Sequence, residues 1–232
     1  AVHRVLQRFY SERCANGRAK ISMEEKGEAI ARLRALGQEE ATKGTSLAWR
    51  TYMNHFIGTD HPGVVSMFVD HELKNKLPGL TPRWIEMCYG KYNLDSGDPN
   101  NRVEPAIIPL DDSGSRVMRL DCRIDRVDVD SRGNFFVIDY KTGSPMSKCA
   151  AMKDLQIPLY ILALEAEVPG SQGSGGGLYY MGSRKNTKIV PTVRDRDYAD
   201  MMAGLGKIDE REWDRDELDN FRTERLGSIL DA

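Results

Sequence analysis

The sequence of 232 residues predicts a domain of the α/β or α+β class, with a mixed sheet and helices around it. Two observations lead to this class. Apolar residues recur at helical spacing through residues 1–73, whereas short apolar runs bounded by turn residues, which are typical of strands, begin near residue 83. Helical spacing then returns over residues 148–167 and again after residue 211, with further strand-like runs between them.

The first third of the chain should be helical. An opening amphipathic helix is predicted by three apolar residues at helical spacing: Val2, Leu6 and Phe9. Residues 22–40 predict a second helix, because Ser22 and Glu25 match a capping box at its start. Residues 47–73 are also mostly helical in pattern, with an interruption at 58–63.

The sheet should be built from short apolar runs. The segment RWIEMCYG, residues 83–90, predicts a strand, and the next two are expected at 116–130 and 134–140. A helix is expected over 148–167. The glycine-rich SQGSGGG that follows predicts a flexible loop, and the last elements are strands in LYYMG and TKIVPTV and a charged closing helix from residue 211.

The composition excludes several classes of protein. With 40% hydrophobic and 29% charged residues and no apolar run near the roughly 18 residues of a membrane span, we expect a soluble protein with no membrane partner. The opening residues lack the pattern of a signal peptide. The four cysteines (Cys14, Cys88, Cys122 and Cys149) form no CxxC pair, which favours a reduced, cytoplasmic location. A net charge of −2 gives no global sign of nucleic-acid binding.

An acidic hairpin at residues 122–143 carries the chemistry. A three-residue loop ending at Gly133, which would take the left-handed conformation, sets the pairing of its two strands. This register places three pairs opposite each other: Val129 with Phe135, Val127 with Val137, and Asp125 with Asp139. Lys141 lies on the same face as Asp139, two residues further along the strand.

Two adjacent carboxylates beside apolar side chains repel each other unless a positive charge lies between them. Lys141 supplies part of that charge, and hard oxygen ligands suit Mg²⁺ or Mn²⁺. The alternative is an exposed edge hairpin whose charges discourage aggregation. A calcium loop over residues 128–139 is a weaker alternative, because its fifth position is Arg132 and its flanks are strand-like. Asp128 and Asp130 are expected to be solvated turn residues.

The segments CRIDRVDVD, VIDYKTG and LQIPLY together resemble the nuclease domain of the RecB and AddB type, within the PD-(D/E)xK superfamily. The resemblance implies a restriction-endonuclease-like core, a mixed sheet flanked by helices. It also implies that Asp125 and Asp139 bind metal, that Lys141 is catalytic, and that Gln156 and Tyr160 form the family's helix motif. Those last two lie four residues apart on one helix face, where Pro158 should kink the helix or shift its start.

Further ligands follow only from this resemblance. His3 stands as the counterpart of a histidine on the family's opening helix, Glu86 as a glutamate near the site, and Tyr140 as the donor of a backbone carbonyl. Cys122 replaces the family's usual glycine. The AddB branch carries an iron–sulfur cluster, but the cysteines for one are missing after the Gln156 helix, so none is expected in this fragment.

The implied activity is Mg²⁺- or Mn²⁺-dependent hydrolysis of DNA by an exonuclease in recombination and repair, with a helicase domain or subunit as partner. We expect residues 1–232 to form one domain cut from a larger protein, since the chain does not begin with methionine. A module that keeps the fold but only binds DNA or acts as a scaffold is the alternative. Arg123 and Arg126 either contact phosphate or pair with carboxylates, and the sequence does not separate these roles.

Overall fold

The computed structural model describes residues 1–58, 63–74, 76–93, 101–151, 153–181, 187–207 and 212–230. The α-helices are α1 Val2–Ala15, α2 Lys26–Ala41, α3 Leu47–Ile57, α4 Val64–Glu72, α5 Lys148–Ala151, α6 Gln156–Glu167, α7 Arg215–Asn220 and α8 Gly227–Leu230. The strands are β1 Thr81–Tyr89, β2 Ala106–Pro109, β3 Val117–Leu120, β4 Cys122–Val129, β5 Phe135–Lys141, β6 Gly173–Tyr180 and β7 Lys188–Arg194. Two 3₁₀ segments, Gly90–Asn93 and Arg196–Leu205, follow β1 and β7, and a π-helical segment, Phe221–Leu226, joins α7 to α8.

Five strands form a mixed sheet in the order β1-β4-β5-β6-β7, in which only the β5–β6 pair is parallel. Helices α1 to α4 cover one face and pack on Phe136 and Ile138 of β5. Helix α6, the small β2–β3 sheet and α7 cover the other face, against Val127 and Val137. The predicted mixed α/β fold, a sheet between helices, is therefore confirmed. Within the described residues, none of the helices is long and apolar enough to cross a membrane.

The turn of the acidic hairpin and the strand pairs next to it form as the sequence predicts. Gly133 has a φ of 92°, so the turn uses the left-handed conformation that a glycine provides without strain. The Cα partners include Val129 with Phe135 and Val127 with Val137, which is the predicted register. Asp130 lies in the turn and accepts hydrogen bonds from the backbone N–H groups of its own loop.

The glycine-rich segment after α6 is not a flexible loop, and that prediction was wrong. Residues 173–180 form β6, a buried central strand. A Cβ at Gly176 would lie 2.5 Å from Cγ2 of Ile157 on α6, and one at Gly177 would lie 2.6 Å from the carbonyl oxygen of Val190 on β7. The glycines are therefore needed for close packing of the neighbours on both sides of the strand.

Several predicted elements differ at their ends. Ser22 and Glu25 do exchange capping hydrogen bonds, but in the turn before α2, which starts at Lys26. The strand expected at 116–130 is divided at Asp121 into β3 and β4, and the helix expected at 148–167 into α5 and α6. Pro158 shifts the start of α6, because it lies in the first turn, where a missing N–H breaks no intrahelical bond. Residues 59–62 of the predicted interruption, Gly182 of LYYMG and residue 211 lie outside the described residues.

Candidate metal and catalytic site

Three neighbouring strands each place one carboxylate at the same end of the sheet. Glu86 comes from β1, Asp125 from β4 and Asp139 from β5, and these strands are adjacent in the sheet order. The β1–β4 pairing sets Ile85 opposite Arg126 and Met87 opposite Ile124, so Glu86 and Asp125 occupy matching positions. All three carboxylate residues are buried, with exposed fractions of 4–6%. Burying like charges this close is unfavourable without a nearby cation.

Glu86 has an unusual backbone. Its φ of 53° makes it the one non-glycine residue with positive φ among the residues that the structure describes. This conformation is sterically unfavourable for a residue with a Cβ, by about 1–2 kcal/mol, and such strain clusters at functional sites. Oε1 of Glu86 lies 3.7 Å from Nδ1 of His3, and Oε2 lies 3.0 Å from Nε of Arg123. Glu86, whose backbone is strained, therefore belongs to the same cluster as His3 and Asp125.

Helix α1 brings His3 to the carboxylates from the other end of the chain. Val2, Val5 and Leu6 of this helix are buried in the core, which fixes the helix against the sheet. Nδ1 of His3 lies 3.1 Å from Oδ1 of Asp125. The potential ligand atoms of His3, Glu86 and Asp125 all lie within 4.8 Å of one another. One imidazole nitrogen and several carboxylate oxygens form a donor set that fits a hard divalent cation.

Asp125 and Asp139 lie at the point where the hairpin strands separate. The paired residues of β4 and β5 end at Arg126 and Ile138, so the predicted strand pair of Asp125 with Asp139 is not formed. The backbone N–H of Tyr140 donates instead to Oδ2 of Asp125, at 2.8 Å. The two aspartates therefore line one cavity, with the backbone of Tyr140 holding Asp125 in place.

Lys141 begins a chain of contacts that runs away from the carboxylates. Its Nζ lies 2.6 Å from Oδ2 of Asp139 and donates to Oε1 of Gln156 at 2.9 Å. The amide nitrogen of Gln156 donates in turn to the hydroxyl of Tyr160, at 2.8 Å. One polar network thereby joins β5 to α6, although Lys141 and Gln156 are 15 positions apart in the sequence. Its members are residues that the sequence predicted for the site.

The ionisation of the cluster reflects its burial. Burial and, to a smaller extent, the charge of Asp125 raise the pKa of Glu86 to about 7 and that of Asp139 to about 6. The hydrogen bond to Asp125 raises the pKa of His3. For Lys141, burial lowers the pKa, but the contact with Asp139 outweighs it and the pKa is raised. Lys141 is therefore a cation. The raised pKa values of Glu86 and Asp139 indicate that the positive charge near these carboxylates does not offset their burial and their repulsion by Asp125.

The site opens into a cavity of about 510 Å³. The cavity is lined by His3, Asp125, Asp139, Tyr140, Lys141, Gln156, Tyr160, Arg123 and several neighbours from the β3–β4 connection. Glu86 is not part of this lining, but it contacts two residues that are, His3 and Arg123. The arrangement offers a metal-binding centre and a fixed ammonium group on one wall of an open cleft.

Asp128 is not a solvated turn residue, and that prediction was wrong. It is 1% exposed, and both of its carboxylate oxygens accept from the guanidinium of Arg126, at 2.5 and 2.7 Å. Arg126 also donates to Glu72 at 2.8 Å and to the hydroxyl of Tyr10 at 3.0 Å. The sequence signal for this network was an Arg and an Asp two residues apart, which share one face of a strand.

The calcium-loop alternative is also excluded by the geometry of the hairpin. An EF-hand loop needs a helix on each side, whereas residues 128–139 join two strands through a tight turn. Its first position, Asp128, is buried in an ion pair with Arg126 and is therefore not available as a calcium ligand.

A sequence model of the PD-(D/E)XK nuclease superfamily matches residues 1–226, and the chain belongs to this superfamily. Its members are typically nucleases that use divalent metal ions. The match covers the sheet, the helices on both faces and each residue of the cluster described above. The expected restriction-endonuclease-like fold is thus confirmed, while the RecB and AddB type remains a prediction. A search of curated proteins found no match to the chain.

Proposed function

We propose that this chain is the catalytic domain of a divalent-metal-dependent deoxyribonuclease of the RecB and AddB type. It hydrolyses phosphodiester bonds at DNA ends as an exonuclease. The observation that carries the proposal is the set of three buried carboxylates from adjacent strands, with the ammonium of Lys141 2.6 Å from one of them. An inert scaffold has no chemical reason to retain a lysine in contact with Asp139.

The metal ligands in this proposal are Asp125, Asp139, His3, Glu86 and the backbone carbonyl of Tyr140. Oxygen-rich ligand sets with one imidazole suit Mg²⁺ or Mn²⁺, with water completing the coordination. A bound divalent ion lowers the pKa of its water and neutralises charge on the reacting phosphate. Asp125 is held for this role by the N–H of Tyr140.

Lys141 acts on the reacting atoms. Its ammonium orients the attacking water or stabilises negative charge that develops on the phosphate oxygens. Gln156 positions this group by accepting its hydrogen bond, and Tyr160 fixes the amide of Gln156. The raised pKa of Lys141 favours charge stabilisation over proton abstraction, since an ammonium has no free base to offer.

The biological setting in this proposal is DNA recombination and repair, with a helicase domain or subunit that supplies DNA ends. The RecB- and AddB-like segments around Asp125, Lys141 and Gln156 support it. In this proposal residues 1–232 are one nuclease domain of a larger protein, and no iron–sulfur cluster is expected in them.

The experiment compares cleavage of end-labelled linear DNA with that of closed circular DNA, in Mg²⁺ and in Mn²⁺. Wild-type protein should degrade linear DNA and spare closed circles. Asp139→Ala and Lys141→Ala should each lower the rate by about 10²–10³-fold, the range for losing one electrostatic group of an active site. Asp200→Ala and Lys188→Ala replace exposed residues outside the cluster and should cleave like wild type.

Calorimetric titration with Mg²⁺ or Mn²⁺ in the absence of DNA provides the second arm. Wild-type protein should bind a divalent ion, and Asp139→Ala should bind it at least about tenfold more weakly. If wild-type protein neither cleaves DNA nor binds a divalent ion, the nuclease proposal fails and the scaffold alternative stands. Cleavage of closed circles would replace the exonuclease assignment with an endonuclease.

A further inference from the structure

The structure separates the two arginines that flank Asp125. Arg126 is 4% exposed, and its guanidinium is committed to Asp128, Glu72 and Tyr10. Arg123 differs in each respect. Its side chain is 51% exposed, it lines the cavity, and its Nε lies 3.0 Å from Oε2 of Glu86. Arg126 is therefore a structural residue, and Arg123 is the arginine that can reach a ligand.

Arg123 is well placed to meet a substrate phosphate. It lies two residues before Asp125 on β4, so the two side chains leave the same face of the strand. The planar guanidinium can bind two oxygens of a phosphate at once, which a lysine cannot do. A phosphodiester brought to the carboxylate cluster would thus lie within reach of Arg123.

Glu86 holds this arginine through an ion pair. The buried carboxylate of Glu86 lies beside Asp125 and His3, and its Oε2 is 3.0 Å from Nε of Arg123. A divalent ion held by the carboxylates and His3 would give Glu86 a stronger positive partner than Arg123. The guanidinium of Arg123, which already lines the cavity, would then be free to bind a ligand there.

We propose that Arg123 is a phosphate-binding residue that exchanges Glu86 for a DNA phosphate when a divalent ion binds the carboxylates. The inference rests on the proposed nuclease function and adds a subsite to it. The metal and the DNA then bind cooperatively, because each favours the position of Arg123 that the other requires. The ligand of the subsite is a phosphodiester phosphate next to the cleavage position.

The first arm of the test measures metal binding without DNA. Arg123→Gln removes a positive charge near the cation, so Mg²⁺ should bind about three- to tenfold more tightly than to wild type. The titration is done by calorimetry at about pH 8, where carboxyl groups are more fully ionised. If Arg123 only stabilised the structure, its loss would disorder the carboxylates, and Mg²⁺ would bind more weakly than to wild type.

The second arm measures DNA binding by fluorescence anisotropy, with every protein carrying Lys141→Ala to keep the DNA intact. In EDTA, Arg123→Gln should change the affinity by less than about twofold, because Glu86 already holds the guanidinium. In Mg²⁺ it should weaken binding about tenfold and lower the slope of log affinity against log salt by about one. Arg123→Lys, which keeps the charge, should recover most of the Mg²⁺-dependent affinity.

Arg32→Gln is the matched control. Arg32 is also a half-exposed arginine paired with a glutamate, Glu12, which lies nine residues along α1 from His3, or about 13 Å. This variant should leave both arms at the wild-type values. The inference is overturned if Arg123→Gln weakens metal binding, or if its effect on DNA affinity is the same in EDTA and Mg²⁺. Those results leave the nuclease proposal standing, whereas absence of metal binding and cleavage in wild type refutes the proposed function itself.

Discussion

The ammonium of Lys141 lies 2.6 Å from Oδ2 of Asp139, and the two residues project from the same face of β5. Gln156, on α6, accepts a hydrogen bond from the same ammonium at 2.9 Å. The contact with Asp139 therefore keeps Lys141 protonated, and the hydrogen bond to Gln156 fixes the direction of its ammonium group. Since Gln156 is not among the proposed metal ligands, its effect on the lysine is separable from metal binding.

Gln156→Ala should lower kcat by about tenfold or more, because the ammonium loses the contact that directs it. Mg²⁺ affinity should stay within about twofold of wild type, since the carboxylates and His3 are untouched. Steady-state cleavage and calorimetry measure the two quantities. Gln38→Ala, an exposed glutamine on α2, is the control and should alter neither. An equal loss of metal affinity and rate would contradict the positioning role.

The left-handed backbone of Glu86 gives a prediction about stability. Glu86→Gly should be more stable than Glu86→Ala by about 1 kcal/mol, because only glycine adopts a φ of 53° without strain. Both variants lack the carboxylate and should bind Mg²⁺ about tenfold more weakly than wild type. Urea unfolding gives the free energy of unfolding, and calorimetry gives the affinity.

Arg83, an exposed residue of the same strand, provides the reversed control. There Arg83→Ala should be more stable than Arg83→Gly by about 0.5–1 kcal/mol, the usual penalty of glycine in a strand. If glycine is the less stable residue at both positions, the backbone of Glu86 is not strained.

Local patterns predicted the hairpin and its register, whereas features that depend on distant segments were missed. The turn at Gly133 and the alternation of Val127 and Val137 lie within a few residues of each other, so the sequence alone determines them. The prediction that Asp128 is solvated was wrong because its burial depends on Glu72 of α4 and Tyr10 of α1. No local pattern in the sequence predicts that these two residues lie beside β4.

In the site, too, local features could be predicted from the sequence and features that depend on distant segments could not. The spacing of Asp125, Asp139 and Lys141 follows from strand geometry and could be predicted. The positive φ of Glu86 could not, because a glutamate inside an apolar run normally predicts an ordinary strand residue. The glycines of β6 indicated flexibility only because their neighbours α6 and β7 were not yet placed against them.

The buried ion pair between Arg126 and Asp128 predicts a large loss of stability. Asp128→Ala should lower the free energy of unfolding by about 3–5 kcal/mol, because it leaves the guanidinium of Arg126 buried with one carboxylate partner fewer. Urea unfolding measures the loss. Asp200→Ala, at an exposed position, should change the value by less than about 0.5 kcal/mol. A loss below about 1 kcal/mol for Asp128→Ala would mean that the pair is solvated after all.

Two adjacent glycines of β6 separate packing from catalysis. A Cβ at Gly176 would lie 2.5 Å from Cγ2 of Ile157, the residue that follows Gln156 on α6. A Cβ at Gly177 would instead lie 2.6 Å from the carbonyl oxygen of Val190 on β7. Both substitutions to alanine overpack the structure, and each should lower the free energy of unfolding by about 1–3 kcal/mol.

Only Gly176→Ala should also slow the reaction, by about tenfold at saturating Mg²⁺, because it pushes the start of α6 and with it Gln156 away from Lys141. Gly177→Ala should keep a rate within about twofold of wild type, since β7 carries none of the proposed site residues. Cleavage rates are measured well below the melting temperature of both variants, which thermal unfolding gives, and urea unfolding gives their free energies of unfolding. Equal cleavage rates for the two variants would show that α6 does not position Lys141. The contact with Asp139 alone would then fix its ammonium group.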